Sequence, residues 1–324
     1  MYEWRKQIQL IVDEIDVCIK NHNDEALTLS ALSKKLGYSE FYATRKFSEI
    51  SGMPLREYLQ KRKLAFALKE VRDSKRSLLS IAVDYGFSSN EAFTRAFKKA
   101  YGIAPSSFRK SPKPVVLRTK IHPFDRYFLG LGEIGMIKSQ NNVKTYFVTI
   151  PAHKFLHIEN RESNGYWDFW QKQSKIPGMD CETVCGLLAS IKGKLDDVGG
   201  DDDNCSAGQI MAYINDQTGR LCDWGFLRTE CYGVRLPADY SGEVPNGMIL
   251  SDIPEGEYVV FEHGPFDYEQ ECRTVEEKIE KAMKDFDYAE KGCELDLTPG
   301  RIMYFYYDPG KFFKYIRPIK KVTE

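Results

Sequence analysis

A chain of 324 residues, 42% apolar and 29% charged, has material for two or three domains with cores of their own. No run approaches the about 18 uninterrupted apolar residues of a membrane span, the first twenty residues mix charge with apolar groups unlike a secretory signal, and the eight cysteines lack paired metal spacing. The net charge of −1 hides a division: residues 1–110 hold 20 Lys and Arg against 13 Asp and Glu, and the remainder holds 26 against 34.

Those features speak against a membrane protein, a disulfide framework and a zinc ribbon, and the expectation is reduced thiols in a cytoplasmic protein. The charge asymmetry suggests that one half meets a polyanion and the other does not.

In chain order, Trp4, Ile8, Ile11, Val12, Ile15 and Ile19 recur at helical spacing and form one apolar stripe. LSALSKKLGY and SEFYATRKFSEI follow, then a longer helix from about Leu55 to Val71, then LLSIAVDYGF and SSNEAFTRAFKKAY. Only helix patterns and tight turns occur through residue 110. The three prolines of SPKPVVLRTKIHP, residues 111–123, end that region and open a linker placed at 111–142.

From 143 to 324 the texture changes to strands: KTYFVTI, HKFLHIE, GQIMAYI, EYVVFEH and RIMYFYY. This half repeats internally. IPAHKFLHIE (150–159) aligns with IPEGEYVVFE (253–262), matching Glu159 to Glu262, and IMAYIND (210–216) aligns with IMYFYYD (302–308). The pattern predicts a duplicated strand-strand-helix-strand-strand unit, an α+β fold with two helices on one face of an antiparallel sheet. The acidic run at 196–208 lacks the ligand alternation of a calcium loop and reads as solvated surface.

Within the first 110 residues, aligning Gly37 with Gly86 gives two copies of one pattern. Each has a short apolar helix, a glycine, a Ser that can cap (Ser39; Ser88 or Ser89), and a second helix with a Phe near its end, Phe47 or Phe97. Glycine permits the tight turn of a helix-turn-helix, and Ser satisfies the first amide groups of the next helix. The second helix must pack one face and offer the other to a DNA major groove. Phe93 and Phe97, at i and i+4, form the packed side, and Arg95 falls elsewhere.

The paired units, the basic FTRAFKKAYG and the APSSFR tail resemble the DNA-binding domain of AraC/XylS-type transcription regulators over roughly residues 5–110. The spacing F-T-R-x-F-K-K-x-x-G-x-x-P-x-x-[FY]-R over 93–109 is its more specific part. The resemblance implies base-facing roles for Phe41, Thr44 and Arg45 in the first unit, and for Asn90, Glu91, Thr94 and Arg95 in the second. It implies phosphate contacts from Ser39, Lys98, Ser106 and Ser107. The first copy departs at SGMPL, one residue shorter before its proline, which blurs its last turn and leaves the groove-facing helix intact.

The second half resembles GyrI-like effector-binding domains of Rob-type regulators, through its duplication, EYVVFEHGPFDY and the closing KYIRPIKK. The resemblance implies an aromatic-lined groove for an amphipathic or aromatic small molecule. The residues offered for it are Tyr166, Trp167, Trp170, Tyr213, Trp224, Phe226, Tyr304 and Tyr306, with Glu159 and above all Glu262 as the carboxylates. Single aromatics of this kind more often fill a core. The last two strands depart from cation-binding members, with Phe305, Tyr306 and Lys314 where an acid is common, which leaves a neutral or anionic ligand open.

His153, His157 and Glu159 alternate on one strand face, and without further paired ligands they read as polar surface or pocket lining; no metal or cofactor is expected. The reading is a non-enzymatic regulator, an activator by resemblance, with double-stranded promoter DNA, a small-molecule effector and RNA polymerase as partners and no membrane. Two alternatives come from other classes. One is a GyrI-like hydrolase with Glu262 as general base; the other is a DNA mimic or partner-binding module suggested by the acidic half.

Overall fold

The computed structural model describes residues 2–121, 123, 143–195, 208–222, 225–266, 268–308 and 312–322. The acidic run at 196–207, Trp224 and most of the second half of the linker lie outside them. The chain divides into two units. One comprises residues 1–129 with 182–191 and 199–207, and the other comprises 130–181, 192–198 and 208–324.

The first unit is helical: α1 (Tyr2–Lys20), α2 (Leu29–Leu36), α3 (Glu40–Ser51), α4 (Leu55–Asp73), α5 (Leu78–Asp84), α6 (Asn90–Tyr101) and α7 (Pro105–Lys110). The α1 stripe read from sequence is its buried face, with Ile8, Ile11, Val12, Ile15 and Ile19 all at most 2% exposed. That face meets Tyr58, Leu64, Ala65 and Leu68 of α4, whose burial on several sides makes it the central helix. Val115 and Leu117, in the stretch assigned to the linker, are buried in the same core.

A helix that sequence reasoning did not find, α9 (Cys181–Ser190), contributes Glu182–Ile191 to this helical unit. Its Gly186 lies against the chain at Leu117: the Leu117 amide donates to the Gly186 carbonyl at 3.3 Å, and a Cβ on Gly186 would strike the Leu117 carbonyl oxygen. Ser190 accepts from the Val115 amide at 3.1 Å through its hydroxyl and from Arg72 at 2.6 Å through its carbonyl. Arg118 pairs with Glu182. The expectation that residues 143–324 form one effector domain therefore needs correcting at α9, whose small-residue face (Gly186, Ala189, Ser190) suits close backbone approach.

The second unit carries α8 (Tyr166–Gln173), α10 (Tyr268–Asp285) and nine strands: β1 (Lys144–Ile150), β2 (His153–Asn160), β3 (Gln209–Leu221), β4 (Leu227–Pro237), β5 (Ile249–Ile253), β6 (Gly256–His263), β7 (Cys293–Leu295), β8 (Ile302–Asp308) and β9 (Phe312–Lys321). All described pairings are antiparallel, in the order β1-β6-β9-β8-β3-β4-β2-β5, with β7 on β9. β1 continues into β2, and β5 into β6, across matching Ile-Pro steps, so each end strand of this order leads directly into the strand next to the opposite end, and one face of the sheet holds a core. That core takes Phe155 and Tyr258, Ile210 and Ile302, Ala212 and Tyr304: the aligned residues of the two repeats. The opposite face carries the helices. Trp170 of α8 packs on Tyr232 at 4.9 Å, and α10 buries Val275, Ile279 and Met283 with Val259 and Phe261.

Candidate nucleic-acid interface and effector face

Both helix-turn-helix turns are built as the glycines and serines require. Gly37 ends α2 with φ of 74°, and Gly86 follows α5 with φ of 76°, left-handed conformations that a side chain disfavours. At Gly86 a Cβ would also meet the Asp24 carboxylate and Lys63. Ser39 accepts from the Tyr42 amide at 3.4 Å and Ser89 from the Ala92 amide at 3.1 Å, so Ser89 is the cap of the second unit. Ser88 is then one extra residue in its turn.

The helices α3 and α6 match position by position. Each has twelve residues, and each ends at a glycine in the left-handed region, Gly52 and Gly102. Ala43 and Phe47 are buried in α3; Phe93 and Phe97, fifty positions later, are buried in α6. At about 100° per residue, the positions two residues from these anchors point the other way. Those are Phe41 and Arg45 in α3, and Glu91 and Arg95 in α6, and all four are exposed. Phe41 is 76% exposed.

The polar groups on this face are loosely held. Arg45 donates to Glu49 at 2.9 Å, an i,i+4 pair with both side chains in solvent, and Lys46 adds a second bond at 2.7 Å. Hydrogen bonds from Lys46 and Arg45 hold the Glu49 carboxyl below its usual range. Such an exposed pair gives way readily to a base or phosphate. The Glu91 carboxyl is also held low, by its own backbone amide first, then by Ser89 and Arg95. Thr44 donates its hydroxyl to the Glu40 carbonyl at 2.6 Å, which turns its methyl group outward. Lys98, Ser106 and Ser107 are exposed. Asn90 is half-buried with Oδ1 enclosed and unpartnered, which limits it as a base reader.

α4 joins the two motifs and spans about 28 Å at a rise of about 1.5 Å per residue. Its Arg62 is tied to Asp16 of α1 by two bonds, Nε to Oδ1 at 2.9 Å and Nη2 to Oδ2, and donates to the Arg118 carbonyl at 2.6 Å. Trp4 of α1 contacts Tyr38 and Tyr42 at 4.7 and 5.4 Å, which anchors the start of α3.

The residues expected to receive an effector do not gather in one place. Trp170 is 6% exposed against Tyr232; Tyr166 and Trp167 stand beside it on α8, with Trp167 45% exposed. Tyr213 is half-buried on the helix-bearing face, with Arg228 over its ring at 5.2 Å. Tyr304 lies on the other face, fully buried and bonded to His153, and Phe226 is fully buried as well; both fill cores, since neither has surface left to offer. Tyr306 sits opposite Lys314 in the β8–β9 register. Trp224 is outside the described residues.

Glu262 also departs from expectation. It accepts from Lys314 at 2.8 Å and from Tyr146 at 2.8 Å. Burial works to raise its carboxyl, but these bonds and Lys144 prevail and hold it low. Its charge is neutralised internally, so it suits neither a cation receptor nor a general base. Glu159 pairs with Arg161 at 3.3 Å. The buried carboxylate on the helix-bearing face is Glu230, 1% exposed, which accepts from Ser163 at 2.5 Å and the Gly165 amide at 2.7 Å, with Arg228 at 3.5 Å. Register places it beside Tyr213, with Met211 and Tyr232 next along, and Met303, Phe305 and Tyr315 across β8 and β9. The i, i+2 alternation of Glu230 and Tyr232 was visible in the sequence; which face of the sheet they share was not.

Two capped helix-turn-helix units sharing one core with α1 and α4 define a tandem helix-turn-helix domain. A family described as "Helix-turn-helix domain" matches residues 32–111. Right origin-binding protein of Escherichia coli (strain K12) is 30% identical over 150 residues, 46% of this chain and 45% of that protein, so the chain spans about half the length of that relative. Regulatory protein SoxS of the same organism is 33% identical over 101 residues, 31% of this chain and 94% of SoxS. Among solved structures, the C-terminal domain of the response regulator yesN from Fusobacterium nucleatum is 30% identical, covers 31% of this chain and 94% of that one, and has a TM-score of 0.28.

With nearly the whole of SoxS matched, the chain belongs to the AraC-type family of helix-turn-helix transcription regulators.

Proposed function

We propose that this chain binds promoter DNA through α3 and α6 and that its sheet unit, a GyrI-like domain, senses a small molecule. The observation that carries the DNA reading is the fifty-residue repeat of a buried-and-exposed pattern: Ala43/Phe47 and Phe93/Phe97 inward, Phe41/Arg45 and Glu91/Arg95 outward. Arginine makes bidentate contacts to guanine worth about 1–3 kcal/mol of discrimination, and an exposed Phe or Thr methyl suits the thymine methyl group. α4 joins the two motifs, and reading two successive grooves requires it to hold α3 and α6 about one turn of duplex apart, roughly 34 Å. Lys98, Ser39, Ser106 and Ser107 supply phosphate contacts that position without selecting sequence.

For the sensor, support comes from the half-buried rings Tyr213, Phe305 and Tyr315, which the strand register brings together on the helix-bearing face. Such aromatic faces suit an amphipathic ring, and each ring adds about 0.5–2 kcal/mol toward a cation. Promoter activation, with RNA polymerase as a further partner, is the outcome proposed for the bound complex.

The test selects duplexes bound by the full chain from a random library, then measures their affinity by fluorescence anisotropy. Arg45→Ala and Arg95→Ala should each weaken the selected site about 5- to 150-fold, for a loss of about 1–3 kcal/mol, with unchanged thermal melting. Equal binding by both variants would refute the groove-reading assignment.

A further inference from the structure

The duplication of the sheet unit exposes a difference between its two carboxylates. In the second repeat Glu262 of β6 lies directly opposite Lys314 of β9, and the lysine ammonium neutralises it at 2.8 Å. In the first repeat Glu159 of β2 lies directly opposite Cys231 of β4, so a thiol stands where the second repeat has an ammonium. Two residues back, Val260 of the second repeat is replaced by His157. The first repeat thus sets an imidazole and a thiol beside its carboxylate, where the second has Val260 and Lys314.

We propose that His157, Glu159 and Cys231 form a site for a single thiophilic divalent ion of the zinc class. Their ligand atoms all lie within 4.8 Å of one another. Ligands at about 2.0–2.3 Å in a tetrahedron stand about 3.3–3.8 Å apart, so small side-chain rotations close the set. The imidazole is held for the task. Its ring stacks on Phe155 at 4.9 Å, and its Nε2 lies 3.0 Å from the Ser251 hydroxyl, while Nδ1 is buried with no hydrogen-bond partner. A second-shell bond on one ring nitrogen that leaves the other lone pair for the ion is the usual arrangement of a metal-binding His. Gly233 opposite His157 has no room for a Cβ, which would strike His157 and Leu156, so the absent side chain is what seats the imidazole.

Charge favours the same conclusion. Arg161 reaches both Glu159 at 3.3 Å and Asp216 at 3.5 Å, so a cation already bridges two carboxylates at the partly exposed rim. A divalent ion entering there takes Glu159 from Arg161, and Asp216 or water completes four ligands. Cys231 binds as the thiolate, so binding releases its proton to solvent. The alternation along β2 alone offered His153 as the third ligand. The structure commits His153 to Tyr304 and the Pro151 carbonyl, and the cross-strand register supplies Cys231 instead.

The experiment titrates the full-length chain with cobalt(II) chloride and reads the thiolate-to-cobalt charge-transfer band, then displaces the cobalt with zinc. The expected result is one ion per chain, a band lost in Cys231→Ser, and affinity at least about tenfold weaker in Glu159→Gln and His157→Gln, as second-shell or ligand losses are. The double variant Cys181→Ser/Cys185→Ser should keep the band. A band that survives Cys231→Ser, or vanishes with Cys181 and Cys185, overturns the assignment, as does its absence in the native chain. Circular dichroism separates ligand loss from misfolding. If Cys231→Ser fails to fold, the partly exposed Glu159→Gln carries the decision. DNA binding plays no part in this readout.

Discussion

Replacing Asp16 with Ala strips Arg62 of the carboxylate that neutralises it. Asp16 is 1% exposed and Arg62 5%, so a guanidinium deprived of this carboxylate cannot turn to water without opening the α1–α4 contact. Removing one member of a buried pair costs about 3–5 kcal/mol. Arg62 keeps the Arg118 carbonyl at 2.6 Å and its position over the Phe66 ring at 5.0 Å, which offset about 1 kcal/mol. The expected loss is therefore about 2–4 kcal/mol, a large share of the about 5–15 kcal/mol of a typical domain. Urea unfolding should show it as a lower midpoint of the helical unit's transition. The double variant Asp16→Leu/Arg62→Met removes both charges and should return most of the loss, leaving about 1 kcal/mol for the unsatisfied Arg118 carbonyl. A single variant that costs under about 1 kcal/mol, or a double variant no better than the single, would refute the claim that this pair, rather than the surrounding apolar contacts, locks α1 to α4.

Gly86→Ala combines left-handed backbone strain of about 1–2 kcal/mol with displacement of Asp24 from Lys63, whereas Gly37→Ala has open space and bears the strain alone; melting should fall further for Gly86. Gly186→Val forces a side chain into the Leu117 backbone, an overpacking cost of about 1–3 kcal/mol, and hydrogen exchange should rise at residues 115–118 and along α9. Acid should destabilise the sheet unit through His157. Its pKa is about 4 folded against 6.5 ordinarily, so the unfolded chain binds the extra proton between those values. The resulting stability is full above pH 6.5, falls by about 1.4 kcal/mol per pH unit below it, and is gone beneath about pH 4. His157→Gln should remove that one-proton slope from unfolding measured against pH, and an unchanged slope would assign it to other groups.

The helical unit was legible because its signals are local. A glycine that needs positive φ, a Ser that caps, and Phe residues at i and i+4 specify each motif within about twenty residues, and the structure places Gly37, Ser39 and Phe47 accordingly. The sheet's duplication was legible too, since Ile-Pro steps and aligned apolar residues are written in the chain. What failed was long-range pairing. Tyr304 and Tyr213 look alike in sequence, yet one faces the core and the other the helices. Glu262 looked available until Lys314, on the strand opposite, proved to hold it. α9 was missed because its partners, Val115 to Arg118 and Arg72, lie far back in the sequence, so its small-residue face had no local meaning.

Both units are built by duplication, and in the helical unit the inward residues stayed buried while several outward ones diverged, Arg45 and Arg95 excepted. Ala43/Phe93 and Phe47/Phe97 remain buried, whereas Phe41 became Glu91, Ser48 became Lys98 and Glu49 became Lys99. Packing explains the first set, because a core tolerates change of shape but not of polarity. Packing does not explain the second set, because those side chains touch little of the protein. Their divergence leaves the two helices with different outward chemistry, an apolar and guanidinium surface on α3 against an acid, a guanidinium and extra lysines on α6. The sheet obeys the same logic with the sign reversed: Glu159 and Glu262 are both retained, and what diverged is the cation each one is offered.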